Sequence, residues 1–481
     1  MDLRKASILV FTSKILSTIV GFFAIVVFSR LLGASALGIY YPFIALLGIL
    51  GIPADIGLRN AVEKRISEGT DENIYFGSFL SLKVLPLIFI SLIIYVLREY
   101  INIYLGGDFA ILLIIALIAR QFGTIPHSIL NGELRVGETA LIRLIQSMGW
   151  LTFGYLLYLQ DYGVYALIYG HIIGSILMAI IGWWKLSVPI GFPSLKHAKS
   201  LFDFGKFAAV TTVGGFVYSW MDVAILTAFV ALEITATRAS IGAYENAWRM
   251  SLVVSLLGRS VSMVIFPQIS QWDAEDAIDR IEEIIPIAVL LSLLVAIPGF
   301  VGTLILSNEM LRIVYGPEFV IASTALIILM GEKILQSIQV ILSRSLRGLD
   351  HPDLAAYATL VTIMMNFILN IILIFYFGII GAAIATGTAI GINTTLHIYY
   401  LNQYLDLNFP YYKLGWCIIS STIMGVSVSL VYVVFEIQTT IQLTIIIVFG
   451  AIIYSASLIS YTPLREQFLS ISRNILANVL D

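Results

Sequence analysis

Apolar residues run along this chain in fourteen blocks separated by short polar breaks. The blocks cover approximately 8–30, 37–58, 74–97, 109–131, 140–159, 163–186, 206–232, 241–268, 284–306, 319–345, 354–376, 379–402, 412–434 and 440–460. A helix needs about 20 apolar residues to cross the hydrocarbon core of a bilayer, and these blocks have that length. Barrel strands would alternate apolar and polar residues over shorter segments, so the uninterrupted runs predict helices. The pattern predicts an all-α integral membrane protein of about fourteen transmembrane helices. The junction near Gly378 is very short, which leaves twelve crossings as the lower count.

Composition sharpens this picture. Hydrophobic residues are 59% of the 481 and charged residues 12%, and the mean hydropathy is +0.96. A soluble domain carries roughly 25% charged residues, so lipid is the solvent for most of the exterior. A net charge of −3 marks neither a nucleic-acid surface nor an acidic tail. The single cysteine, Cys417, excludes an intramolecular disulfide and a Cys-based metal cluster. The first block is long and lacks a small-residue cleavage site, so it reads as a retained span. With the N-terminus placed inside, 17 of the 27 Lys and Arg fall on cytoplasmic ends and loops, 4 fall outside, and 6 lie within spans. The positive-inside rule then puts both termini in the cytoplasm, in a multi-pass cell-membrane protein.

The chain also repeats itself. "LGGDF" (Leu105–Phe109) returns 210 residues later as "YGPEF" (Tyr315–Phe319), each just before an apolar block. "ALGIYY" (Ala36–Tyr41) is echoed by "SIGAYE" (Ser240–Glu245) at an offset of 204. "LNGELR" (Leu130–Arg135) and "LRGLDH" (Leu346–His351) are 216 apart, and "DYGVYAL" (Asp161–Leu167) and "YFGIIGA" (Tyr376–Ala382) are 215 apart. Four echoes in one order define a repeat of six spans. An even number of spans preserves topology, so the halves are parallel repeats, and the substrate site is expected between them near the midplane. The expected division is an N-terminal six-helix lobe over 1–187, a linker over 188–204 carrying Pro189 and Pro193, a second six-helix lobe over 205–403, and two additional helices with a tail over 404–481.

Two blocks of residues resemble a known family. "SRLLGASALGIYYPFIALLGILGIPADIGLRNAVEKRIS" (Ser29–Ser67) is similar to the opening of the polysaccharide flippases. These form a branch of the multidrug/oligosaccharidyl-lipid/polysaccharide exporter superfamily. "YGPEFVIASTALIILMGEKILQSIQVILSRSLRGLDHPDLA" (Tyr315–Ala355) and "NFILNIILIFYFGIIGAAIATG" (Asn366–Gly387) resemble the second half of the same family. The resemblance implies two six-helix lobes with two further helices. It implies a flippase that moves an oligosaccharide on a polyprenyl or dolichyl (pyro)phosphate from the cytoplasmic to the outer leaflet by alternating access. It also implies functional coupling to glycosyltransferases and to a polymerase or oligosaccharyltransferase, with Na⁺ or H⁺ as a coupling ion left open.

Such a cargo needs a polar, cationic refuge, because sugar hydroxyls and phosphate cannot enter hydrocarbon unpartnered. Charged residues inside spans are therefore the candidates for headgroup binding. Lys14 lies in the first span, where its alternative role is snorkelling to the surface; relatives often carry a basic residue in this helix, which favours the cavity. Asp55 with Arg59, and Glu245 with Arg249, are acid-before-base pairs four residues apart, a spacing that suits helical ion pairs. Each is either a self-neutralised pair or part of the cavity. Arg259 has no acid at helical spacing and falls opposite Asp55 by the repeat offset, so Arg249 and Arg259 are the candidates for phosphate, which an Arg fork binds bidentately. Asp222 stands alone in its span, for pairing or for ion coupling. Tyr244 and Trp248, with Tyr40, Tyr41, Tyr218 and Trp220, offer aromatic faces to sugars or anchor the interfaces.

Other span residues read as scaffolding. Arg120 and the Glu332–Lys333 dyad read as pairs internal to a lobe; Lys83 has a weaker case. His127, His171 and His397 read as hydrogen-bonded packing residues, and Asn366 with Asn370 as interhelical glue. No Walker lysine loop is present, no cofactor or metal site is indicated, and the loops are too short for a catalytic domain. The partners expected are the lipid-linked glycan and membrane lipid, with no nucleic acid. The alternatives are a multidrug exporter of organic cations, a lipid II-type flippase, and a membrane glycosyltransferase; the last would need a large outer loop with paired carboxylates.

Overall fold

The computed structural model describes the backbone of residues 3–55 and 57–466, and their side chains except those of 3–11, 13–15 and 207–218. All regular structure among the described residues is helical. Packing divides the chain into two compact units, Met1–Gly242 and Ala243–Asp481.

The first unit contains α1 (Leu3–Gly51), α2 (Leu58–Ser67), α3 (Glu72–Val96), α4 (Arg98–Leu105), α5 (Ala110–Gly132), α6 (Val136–Tyr158), α7 (Val164–Trp184) and α8 (Leu195–Ala231). Next, α9 (Arg238–Ser251) begins in this unit and ends in the second. The second unit continues through a 3₁₀ turn (Leu252–Ser255) to α10 (Leu256–Ala274) and α11 (Ile278–Val314). Another 3₁₀ segment (Pro317–Ala322) precedes α12 (Ser323–Gly348), α13 (Pro352–Leu401), α14 (Tyr411–Val434) and α15 (Thr440–Ile459). Because α8 packs on α1, α2, α3 and α4, it belongs by packing to the first unit, although the repeat counts it with the second half.

Among the described residues, eleven helical segments are long and apolar enough to cross a membrane. Two of them contain a non-helical glycine, Gly33 in α1 and Gly378 in α13, and each divides into two of the runs seen in the sequence. With the shorter apolar stretch Ser219–Ala231 of α8, the helices are consistent with fourteen crossings. The protein is an all-α, multi-pass membrane protein.

The echoed phrases have structural reasons. In "LGGDF" and "YGPEF" the first glycine follows a helix end, at φ 81° for Gly106 and 125° for Gly316, a region an L side chain rarely adopts. The flanking Leu105 and Phe109, and Tyr315 and Phe319, are buried on either side of these stops. In "ALGIYY" and "SIGAYE" the glycine allows close approach instead. A Cβ on Gly38 would run into the Arg238 carbonyl, and one on Gly242 into the carbonyl of Ala34. The start of α9 therefore crosses α1 backbone against backbone.

Three further packings hold the helices in place. The apolar face of α2 (Leu58, Ala61, Val62, Ile66) packs with Phe76 and Phe79 of α3, Ile125 and Ile129 of α5, and Leu201 of α8, which fixes α2 beside α5. Tyr40 of α1 stacks on Trp150 of α6, with ring centroids 5.5 Å apart and planes 10° from parallel. In the second unit, α14 and α15 close over α11 around Cys417, Met424, Val428 and Tyr454. A capping box at Thr439 and Gln442 starts α15.

Gly38→Ala is expected to cost about 1–3 kcal/mol, as overpacking does, and to lower the melting temperature of the purified protein by several degrees. Gly21→Ala, where an added Cβ meets nothing within 4 Å, should melt like the parent. Equal melting of both variants would contradict the close crossing.

Candidate functional site

The first unit encloses a polar pocket of about 330 Å³ among the α1–α2 turn, α2, α5 and α6. The turn is built by backbone hydrogen bonds, Asp55 N–H to the Ile52 carbonyl (3.0 Å) and Leu58 N–H to the Asp55 carbonyl (2.8 Å). It delivers Asp55 just before α2, so that Arg59 lies one helical turn further on. Arg59 Nε donates to Asp55 Oδ2 at 2.9 Å, and Lys83 Nζ of α3 meets Asp55 Oδ1 at 2.9 Å. Lys83 also donates to Gln121 Oε1 at 2.9 Å, and Gln121 Nε2 donates to the Gly51 carbonyl at 3.0 Å. Asp55 and Lys83 are both buried, and Arg59 reaches from them into the pocket.

The opposite wall comes from α5 and α6. Arg120, Gln121, Thr124, His127, Ser128 and Asn131 follow one face of α5, and Arg143 projects from α6. Arg143 Nε donates to His127 Nε2 at 2.8 Å. Asn131 Nδ2 donates to Glu63 Oε2 of α2 at 3.3 Å, and the Thr139 hydroxyl donates to Asn131 Oδ1 at 3.1 Å. Arg59, Arg120 and Arg143 line the pocket with Asp55 and Glu63, and Lys83 stands behind Asp55. Four basic groups thus face two carboxylates, an excess of two positive charges with the histidine neutral. Chemically, the pocket suits a doubly charged anion carrying hydroxyl groups.

The second unit treats its charges differently. Glu245 Oε1 pairs with Arg249 at 2.7 Å, and Glu332 with Lys333 at 2.6 Å, the latter pair fully buried. Lys333 Nζ also lies 5.7 Å from the centre of the Trp248 ring. These pairs leave no excess. The same unit has an apolar groove of about 580 Å³ among α11, α14 and α15, lined by residues that include Met250, Val254, Leu294, Gly299, Met424 and Tyr454.

Among the residues singled out from sequence, Asp55 and Arg59 meet in the pocket, as an ion pair that is also part of the cavity. Glu245 and Arg249 form the expected pair, with Tyr244 buried and Trp248 partly buried beside them. Arg259 is exposed on α10, and Asp222 is buried on α8. The side chains of Lys14 and Tyr218 lie outside the described residues. Asn366 and Asn370 bond to each other (3.1 Å), and Asn366 to Thr386 (3.4 Å), which ties the two limbs of α13 together. His397 bonds the Asn393 carbonyl at 2.8 Å within its own helix, a packing role.

Three expectations need correction. Arg120 is not held in a lobe-internal pair; among the described residues it makes no ion pair and lines the pocket. Lys83, a weak candidate by sequence, is the second cation on Asp55, because α3 packs beside α5. His127, by sequence a packing histidine, accepts from Arg143 at the pocket wall. Arg143, Glu63 and Asn131 are site residues that the sequence reading misses. The available signal was spacing, since Glu63 is four residues after Arg59 and Asn131 four after His127, which places each pair on one helix face.

The fold and the pocket define a class: a multi-pass helical membrane protein of the transporter type, with a polar pocket among the helices of its first unit. Residues 27–324 match the family model described as polysaccharide biosynthesis protein, and the chain belongs to that family. It is 44% identical over 466 residues to the "Probable low-salt glycan biosynthesis flippase Agl15" of Haloferax volcanii, covering 97% of this chain and 98% of the relative. It is 28% identical over 479 residues to the "Probable flippase AglR" of the same organism, covering 97% of each. Among solved structures, the inward closed lipid II flippase MurJ superposes with a TM-score of 0.77 at 22% identity, covering 94% of this chain and 98% of that one. An inward-facing multidrug resistance MATE family transporter of the MOP superfamily superposes at 0.58, with 16% identity over 80% of this chain and 95% of that one. The resemblance read from Ser29–Ser67 and Tyr315–Gly387 therefore stands.

Asp55→Asn strips the carboxylate from buried Lys83 and is expected to destabilise the protein by about 3–5 kcal/mol, the usual cost of orphaning a buried charge. Adding Lys83→Met should recover most of that loss. Thermal melts of the two variants in detergent check both steps.

Proposed function

We propose that this protein is a flippase that carries an oligosaccharide linked to a polyprenyl or dolichyl (pyro)phosphate from the cytoplasmic to the outer leaflet. The observation that carries this reading is the polar pocket of the first unit, with its two excess positive charges. A saccharide headgroup leaving water needs hydrogen-bond partners, and its phosphate needs counter-charge. Arg59, Arg120 and Arg143 supply the charge; Asn60, Gln121, Thr124 and Asn131 supply donors and acceptors for hydroxyls. The apolar groove of the second unit is of the kind that suits an isoprenoid chain. The relatives named as flippases support the same function. An organic-cation exporter would be served poorly by this pocket, since its cargo would be repelled.

The proposed setting is the plasma membrane with both termini cytoplasmic, so that α2 and the C-terminal end of α5 open the pocket inward. Alternating access then exposes the headgroup to the outside. An inside-negative potential favours outward movement of an anion by about 2.3 kcal/mol per charge per 100 mV, which drives export without ATP. Glycosyltransferases that build the cargo would work upstream of it, and an oligosaccharyltransferase or polymerase downstream. Separately from that pocket, Arg249 and Arg259 of the second unit are proposed as phosphate-binding residues.

Deleting the gene and analysing the lipid by leaflet should leave the glycolipid on the cytoplasmic face; a halt in its synthesis would instead indicate a transferase. Arg120→Ala is expected to reduce export at least tenfold at unchanged protein level, since one charge-assisted contact is worth about 1.5–3 kcal/mol. Full export by Arg120→Ala together with Arg59→Ala would remove the pocket from the mechanism.

A further inference from the structure

His127 occupies a position that the headgroup reading does not use. A guanidinium only donates hydrogen bonds and stays charged. Its Nε–H points at His127 Nε2 across 2.8 Å, so that nitrogen carries a lone pair and the imidazole is neutral. On the other side, Asn131 Nδ2 lies 3.5 Å from Nδ1. That amide is oriented by Glu63 and Thr139 so that it too presents N–H groups. The ring is thus held between donors, with one good bond.

The charged surroundings are mixed in sign. Arg143 approaches from α6, Arg59 and Glu63 from α2, and Arg120 and Asn131 share α5. From α3, Lys83 is committed to Asp55, and from α7, His171 neighbours Arg120 rather than His127. An imidazolium here would face Arg143 and Arg59 with no acceptor for Nε2–H. A phosphate-type anion in the pocket changes that balance. Its oxygens accept from Arg143, which can then leave the imidazole, and from a newly protonated Nε2.

We propose that the pocket takes up one proton with each anionic headgroup, on His127, with Arg143 transferring its hydrogen bond from the imidazole to the anion. This rests on the flippase reading of the same pocket. One N–H bond forms on Nε2 as one O–H bond of hydronium or a buffer acid breaks, and no other covalent bond changes. By linkage the effect is reciprocal: the bound anion favours the proton and the proton favours the anion. A headgroup released outside would return the proton there, so each cycle moves one fewer net negative charge.

The test uses the full chain in detergent and inorganic sulfate, a dianion that does not itself titrate between pH 5 and 8. Calorimetry in buffers of different ionisation enthalpy counts the protons taken up per sulfate. Wild type should take up a fraction approaching one. Its affinity should tighten by up to about tenfold per unit of falling pH, within the histidine window of about pH 8 to 5. His127→Gln, which keeps an acceptor for Arg143, should bind with no proton uptake and no pH slope. Glu63→Gln, the other titratable neighbour, should retain the uptake. Wild-type binding without proton uptake, or uptake that persists in His127→Gln, overturns the proton role and leaves the anion pocket standing. No sulfate binding by wild type at any pH overturns the anion pocket itself, and the proton site with it.

Discussion

A charge placed inside a membrane span must be answered by another charge or by a water-accessible cavity, since hydrocarbon offers neither hydrogen bonds nor screening. The ion triad Lys83–Asp55–Arg59 is where this structure depends most on that rule. One buried carboxylate holds two cations from two helices. It thereby locks the α1–α2 turn against α3, and through Lys83 and Gln121 it reaches α5 and the end of α1. Without Asp55 the two cations would repel each other, and the turn that forms one pocket wall would have no anchor.

Because Asp55 is shared, the pocket retains positive charge. One carboxylate cannot neutralise both partners, and Glu63 is occupied with Asn131, so the charges of Arg120 and Arg143 are left to the cavity. The second unit shows the contrasting solution. Glu245–Arg249 and Glu332–Lys333 cancel pairwise, and the groove of that unit is apolar. The first unit thus keeps uncancelled positive charge among polar groups, whereas the ion pairs of the second cancel beside an apolar groove.

The echoed phrases persist for reasons of backbone geometry, while the charged residues near them differ. Helix-ending glycines at Gly106 and Gly316 are imposed by backbone geometry in both copies. Gly38 and Gly242 are held by mutual contact, since any side chain on either would strike the backbone of the other segment. Nothing comparable constrains a charged residue to recur, and Asp55 has Arg259 at its repeat-related position.

Much was legible before any folding was considered. Crossing a bilayer requires a length and an apolarity that can be counted along the chain, and this determines the helical class, the fourteen runs and the repeat. The pairs four residues apart, Asp55–Arg59 and Glu245–Arg249, were equally readable, because helical spacing is a property of one element. The partners Lys83 and Arg143, and the part played by Arg120 and His127, were decided only by tertiary structure. Lys83 is 28 residues from Asp55, and Arg143 is 16 from His127. Whether a charge in a span is paired or faces a cavity depends on which helices pack beside it. That choice is made by buried apolar faces such as Val62, Phe79 and Ile129, which carry no trace of the charges they bring together.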